Sequence, residues 1–423
     1  MARHDGQGGK GLSWRDLGPG LLTGVADDDP SNIATYSQVG AGFGYQMVWT
    51  LWVFYPLVAV IQEVSARMAR VTGKGLAQNL REHYPPWICS VLVTAMVAAN
   101  IINIGADLMA MGGAARLLWG GPRLAYAAGF LILIVTLEVG VRYEHYARVL
   151  EVLSLCLLAY VVTAFSVSVD WRQAALGLLP TVLPGRHYAM ALVAIAGTTI
   201  SPYLLFWQAG QEAEIEEHDP AQAPLVRRPA EGPRELRRIR VDTYVGMAIS
   251  QIIGFFIVVT AAATLGAHGA TPVDTAAAAA QALAPLAGHW TAAVFTMGLV
   301  ATGFLAIPAM AGACAYALAG MFGWSRGLAA TAVEAPRFYL VLVLVGLAGL
   351  GVALIHVSSM RALYLSAALN GLVAVPILMF MMILARRRTV MGRFVLPAGP
   401  LVVGWLATLA MLAAALMLVA SWL

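Results

Sequence analysis

The sequence predicts an all-α polytopic membrane protein, and three observations carry that prediction. Of its 423 residues, 60% are hydrophobic and only 11% charged, with a mean hydropathy of +0.76, a balance foreign to soluble domains of this size. Apolar stretches of about the twenty residues needed to cross a hydrocarbon core recur along the whole length. The basic residues fall between these stretches, on alternate connections, as cytoplasmic loops require.

Eleven spans follow, at 18–39, 46–70, 87–113, 123–140, 146–167, 187–211, 242–265, 290–322, 338–357, 361–385 and 395–422. The first follows a tail (1–17) with Arg3, Lys10 and Arg15 that has no removable signal pattern and is expected in the cytoplasm. Spans two and three are joined across Arg67, Arg70, Lys74 and Arg81, and spans four and five across Arg142 and Arg148. Six arginines from Arg227 to Arg240 link spans six and seven, Arg326 and Arg337 link eight and nine, and Arg386 to Arg393 link ten and eleven. These segments hold 21 of the 26 basic residues; the opposite side has only Arg116, Arg123, Arg172, Arg186 and Arg361. The bias places the N-terminus inside and, with an odd span count, the C-terminus outside.

Several function classes drop out. Cys89, Cys156 and Cys314 stand singly, and the eight histidines form no ligand cluster, which argues against a haem or zinc enzyme and against any cofactor. No nucleophile–base grouping suggests a membrane enzyme. The net charge of +4 belongs to the loops rather than to one soluble face, so nucleic acid is not an expected partner; the lipid bilayer is. The longest polar stretch, 212–241, opens acidic and closes basic with four prolines between, and reads as a mobile cytoplasmic connection whose charges are solvated. The alanine-rich 266–286 stretch reads as a short helix at the outer interface.

The most informative segment is Asp27-Asp28-Asp29-Pro30-Ser31-Asn32, which places three carboxylates and a proline inside the first span. Proline removes a helical N–H and frees carbonyls near residues 26 to 28, while the acids offer hard oxygen ligands. An ionisable group at membrane depth is a functional candidate by default. Five spans later, and therefore in the opposite orientation, Ser201-Pro202-Tyr203 interrupts span six. Paired interruptions in two halves point to inverted repeats with a binding site at mid-membrane.

At these two breaks the chain resembles the Nramp family of divalent-metal transporters. Asp29-Pro30-Ser31-Asn32 is similar to the family's first-helix Asp-Pro-Gly-Asn motif, and the likeness continues through Gly18-Pro19-Gly20, Ile33-Ala34-Thr35, Gln62 to Gly75, Arg142 to Glu151 and Gly197 to Pro202. The resemblance implies a leucine-transporter-like fold: two inverted five-helix repeats (18–167 and 187–385) plus an eleventh helix (395–422). It also implies a plasma (inner) membrane location, in a bacterium, and function as a monomer.

The departures set the finer expectations. Ser201-Pro202-Tyr203 stands where typical members carry Met-Pro-His, so the soft thioether is lost, and oxygen donors favour magnesium, calcium and manganese. Of the family's proton route, Tyr203 replaces the histidine, Asp107 is retained, Ala110 replaces the glutamate, and span nine has no interior arginine. Tyrosine titrates too high to carry protons as histidine does. The pattern therefore looks like the branch of Nramp-related magnesium transporters, though Asn32 keeps the family's extra ligand and lets manganese compete.

On this reading Asp29 is the principal ligand, Asn32 gives an amide oxygen, Ala26 and Thr198 give freed carbonyls, and Ser201 binds directly or through water. Asp28 stands at the mouth or one layer out; Asp27, Asp107, Tyr203, Gln208 and Asn370 are pathway candidates, with Gln208 otherwise a solvated helix-end residue. Glu63 and Glu138 are expected to pair with nearby arginines. The function expected first is Mg2+ transport by alternating access with Mn2+ as second substrate and without strong proton coupling. A proton-coupled Mn2+/Fe2+ symporter is the alternative, and an organic-solute carrier on the same fold is a third.

Overall fold

The computed structural model describes residues 18–141, 157–183, 185–218, 223–268, 273, 276–283, 290–325, 327–328, 330–354 and 358–420. Among them no strand occurs, and the helices run α1 (Pro19–Asp27), α2 (Pro30–Phe43), α3 (Val48–Thr72), α4 (Leu76–His83), α5 (Pro86–Trp119), α6 (Arg123–Gly140), α7 (Leu158–Ser166), α8 (Arg186–Thr199), α9 (Pro202–His218), α10 (Gly232–Thr264), α11 (Thr291–Phe322), α12 (Pro336–Val352), α13 (Ser359–Arg386) and α14 (Ala398–Ala420). α1, α2, α5, α9 and α12 each begin on a proline, whose missing N–H and fixed φ suit the first helical position.

Eight helical stretches, with α8 and α9 counted as one, are long and apolar enough to cross a membrane, and α12 is a shorter apolar helix. The first span is two short halves, α1 and α2, and the first part of the fifth lies outside the described residues. α14 turns Val402, Leu406, Leu409 and Leu416 outward, as a lipid-facing helix should, and Trp87 and Trp119 stand exposed at the two ends of α5.

Two packing systems position the site. α5 lies against α11, α12 and α13, whereas α10 lies along α1, α2 and α3. One stripe of α10 at four-residue spacing meets the broken first span from end to end. The Asp242 carboxylate accepts the N–H groups of Gly18 (3.0 Å), Gly20 (2.7 Å) and Leu21 (2.9 Å), capping α1 with negative charge. Gly246 then faces Gly24 so closely that a Cβ on Gly24 would lie 2.2 Å from the Gly246 carbonyl carbon. Ser250 reaches Asp27 and Asp28, and Gly254 packs on the Tyr36 ring of α2. On the other side of the site Gly197 of α8 meets Gly371 of α13, where a Cβ would lie 1.9 Å from the Ala367 carbonyl oxygen. Small residues let membrane helices approach this closely.

The polar 212–241 connection departs from its expected form. α9 carries the acidic half to His218, α10 starts at Gly232, and residues 219–222 lie outside the described residues. Glu212 and Glu214 are buried rather than solvated. Glu212 accepts from Arg238 at 2.6 Å, and Glu214 is hydrogen-bonded by Tyr316. The segment from 223 is tied to the end of α3, with Leu225 N–H on the Arg70 carbonyl and Val226 N–H on that of Val71 (both 3.2 Å). Tertiary pairing with α3 and α10 supplies partners that the charge pattern alone did not reveal. Glu63 pairs with Arg240 at 3.1 Å as expected. Glu138 is buried with Oε1 unpartnered among the described residues.

Candidate metal site

Both sequence breaks are real interruptions, and they meet. α1 stops at Asp27, and α2 starts at Pro30; Asp28 (φ −75°, ψ 59°) and Asp29 (φ −77°, ψ 170°) between them are not helical. Asp29 caps α2, its Oδ1 accepting the Asn32 N–H at 2.8 Å and the Ser31 hydroxyl at 2.5 Å. α8 stops at Thr199, Ile200 leaves the helix (φ −108°, ψ 68°), and Pro202 opens α9. Across the gap, Thr198 Oγ donates to Asn32 Oδ1, Ser31 Oγ lies 3.2 Å from Thr198 Oγ, and Tyr203 donates its hydroxyl to the Ala26 carbonyl at 3.1 Å. Asp27, Asp28, Asp29, Asn32, Thr198, Ser201 and Tyr203 are all buried.

The three aspartates do not converge. Asp29 faces Asn103 of α5, while Asp27 Oδ2 and Asp28 Oδ1 both contact the Ser250 hydroxyl of α10, at 2.8 and 3.0 Å. Among the described residues no three His, Cys, Asp or Glu side chains are grouped to hold an ion. Ligands around Asp29 must therefore include amide, hydroxyl or carbonyl groups.

α5 closes a third side. Asn103 donates from Nδ2 to Asp29 Oδ2 (3.2 Å) and to the Met310 sulfur of α11 (3.0 Å), and its Oδ1 accepts from Ser366 of α13. Asp107, one turn along α5, is fully buried, and among the described residues both of its carboxylate oxygens are unpartnered. Asn370, one turn beyond Ser366, is buried, and its Oδ1 is likewise unpartnered among the described residues.

The fate of each candidate can now be stated. Asp29, Asn32, Thr198, Ser201 and Tyr203 are brought together, with Asp107 beside them on α5. Three of the proposed ligands are already engaged, the Asn32 amide oxygen by the Thr198 hydroxyl. The Ala26 carbonyl accepts from Tyr203, and the Thr198 carbonyl accepts from Ser201, whose hydroxyl lies 3.0 Å from it and from the Gly197 carbonyl. Ser201 thus serves the frayed end of α8 instead of standing free. Gln208 is no solvated helix end: it is buried, accepting from Gln62 (3.2 Å) and donating to Thr243 (2.8 Å), because α9 is held between α3 and α10 there. The sequence reading missed Asn103, Ser250, Ser366 and Met310. Asn100, Asn103 and Asp107 mark one polar face of α5 by their helical spacing, a signal that was available; nothing distinguishes Met310 from the other 17 of the 18 methionines.

The Tyr203–Ala26 bond gives a simple test. Tyr203→Phe keeps the ring and removes the donor, and should lower stability by about 1 kcal/mol, read by thermal unfolding in detergent. An unchanged midpoint would mean that this link between the breaks carries no weight.

Comparison with known proteins shows the fold and the family. The chain is 30% identical over 302 residues to the divalent metal cation transporter MntH of Klebsiella pneumoniae (strain 342), covering 68% of this chain and 67% of that one. MntH of Aeromonas hydrophila subsp. hydrophila is 28% identical over 295 residues, with 68% and 69% covered. Among solved structures, the Eremococcus coleocola manganese transporter in complex with an aromatic bis-isothiourea substituted compound superposes with a TM-score of 0.76 at 18% identity, covering 98% of this chain and 89% of that one. MhsT in complex with L-phenylalanine reaches 0.58 at 14% identity, with 95% and 98% covered. The fold is thus the leucine-transporter-like one. The family model described as natural resistance-associated macrophage protein-like matches residues 20–421, and the chain belongs to the Nramp family of membrane transporters and is not an enzyme.

Proposed function

We propose that this protein carries divalent metal cations across the membrane, Mn2+ first and Mg2+ second, by alternating access around Asp29. The observation that carries the reading is a buried carboxylate held between two broken helices, with amide and hydroxyl groups on every side. A lone acid in such a place is costly without a cation to meet it. The similar proteins, a divalent metal cation transporter and a manganese transporter, support the ion class.

This order of ions reverses the one drawn from sequence. The case for Mg2+ rested on the lost sixth-span thioether and on added oxygen donors, and one of those donors, the Ser201 hydroxyl, is turned back onto the end of α8. The oxygen-only cluster of Asp27, Asp28 and Ser250 favours Mg2+ as a second reading, since it suits a hard ion that keeps its waters. Coupling to protons goes with the Mn2+ reading, and Asp107 is the acid we assign to it, being buried near Asp29 without a hydrogen-bond partner among the described residues. An anionic organic substrate is disfavoured by three aspartates at the break.

Purified protein in liposomes tests all of this. Under an inward metal gradient, Mn2+ should enter, Mg2+ should compete at higher concentration, and the lumen should acidify only when metal is added. Mg2+ flux exceeding Mn2+ flux with no acidification would favour the second reading, and no flux of either ion would sink both.

A further inference from the structure

We infer that Met310 of α11 is a specificity-determining soft donor at the Asp29 site, masked by Asn103 while no ion is bound. The inference rests on the transport reading above and adds to it the source of a preference for softer metals.

The amide of Asn103 is fully committed. Its NH2 group has two hydrogens, and two acceptors meet it: Asp29 Oδ2 at 3.2 Å and Met310 Sδ at 3.0 Å. Its oxygen accepts from Ser366, which anchors the side chain to α13. The positive edge of an amide dipole therefore stands against a carboxylate and a thioether together. Two acceptors of one NH2 fork lie roughly 5 Å apart, close to the span of about 4 to 5 Å that two ligands on opposite sides of one metal ion require. A cation arriving at Asp29 Oδ2 must displace this N–H, and displacement uncovers the sulfur.

The placement of the thioether is specific. Met310 is fully buried, so no solvent competes for its sulfur. Its backbone is pinned as well, because Asn100 donates to the Met310 carbonyl at 3.2 Å. Sixth-span Ser201 cannot supply a soft ligand, and Met310 restores one from α11, a different helix in the second half of the chain. Thioether sulfur favours transition metals over magnesium and calcium, which prefer oxygen. A purely structural Met310 would pack and accept one weak hydrogen bond without discriminating between ions.

The substitution Met310→Leu conserves volume and is tolerated well in cores. Binding of Cd2+ as soft probe and Mg2+ as hard probe is measured by calorimetry on wild-type and Met310→Leu protein, with thermal unfolding of both as a fold control. The expected result is a loss of Cd2+ affinity of about 10- to 100-fold with Mg2+ affinity held within about twofold. Equal losses for both ions, or no change for either, would overturn the assignment while leaving the divalent-ion site intact. A wild-type protein that binds neither ion would overturn the transport reading, and this inference with it.

Discussion

Asp29→Ala should abolish Mn2+ uptake and weaken divalent-ion binding by roughly 100-fold or more, equivalent to about 3 kcal/mol. The carboxylate has two jobs: Oδ1 caps α2 through Asn32 N–H and Ser31, and Oδ2 faces Asn103. Alanine removes both, and the lost cap alone costs about 1 kcal/mol. Asp29→Asn separates them, since its amide oxygen still caps the helix while the charge is gone. We expect Asp29→Asn to unfold near the wild-type temperature and yet fail to transport. Uptake at wild-type rates by either variant would remove Asp29 from the ion path.

The second large effect lies at the start of α10. Arg238 reaches Glu212 at 2.6 Å, Glu235 at 3.2 Å and Asp242 at 4.0 Å, and Glu212 is wholly buried. Arg238→Met would leave Glu212 as an uncompensated buried charge, at a cost of about 3–5 kcal/mol. Thermal unfolding in detergent should register the loss. The double variant Arg238→Met/Glu212→Leu should regain most of it, because replacing both members of a buried pair by apolar groups is often near neutral. If the double variant is as unstable as the single one, the damage comes from lost packing rather than from an orphaned charge.

Much of this was legible in the chain itself, for identifiable reasons. Length and apolarity mark membrane crossings, and 123–140 coincides with α6. Proline at 30 and at 202 stands at both breaks and starts the helix beyond each, whereas Pro56, Pro308 and Pro376 sit inside α3, α11 and α13, so proline marks a break only together with the polar residues beside it. What the sequence could not show was orientation. Ser201 reads as a free oxygen until its hydroxyl is seen on the Gly197 and Thr198 carbonyls, and Gln208 reads as solvated until Gln62 and Thr243 are found around it. Glu212 reads as part of a loop because its partner Arg238 lies 26 residues away on another helix. Asn103 and Met310 come from helices separated by 207 positions, and only tertiary packing brings them to Asp29.

The stripe formed by Asp242, Gly246, Ser250 and Gly254 has a mechanical corollary. A single helix underlies both pieces of the split first span, with the break at Asp28–Asp29 resting between its third and fourth footholds. The lower piece can therefore swing away by shedding three contacts in turn, two of them polar and replaceable by water, while Tyr36 keeps the upper piece seated against Gly254. Such an arrangement would unzip from the Gly18 end toward the middle, so the cargo is the last thing to be let go.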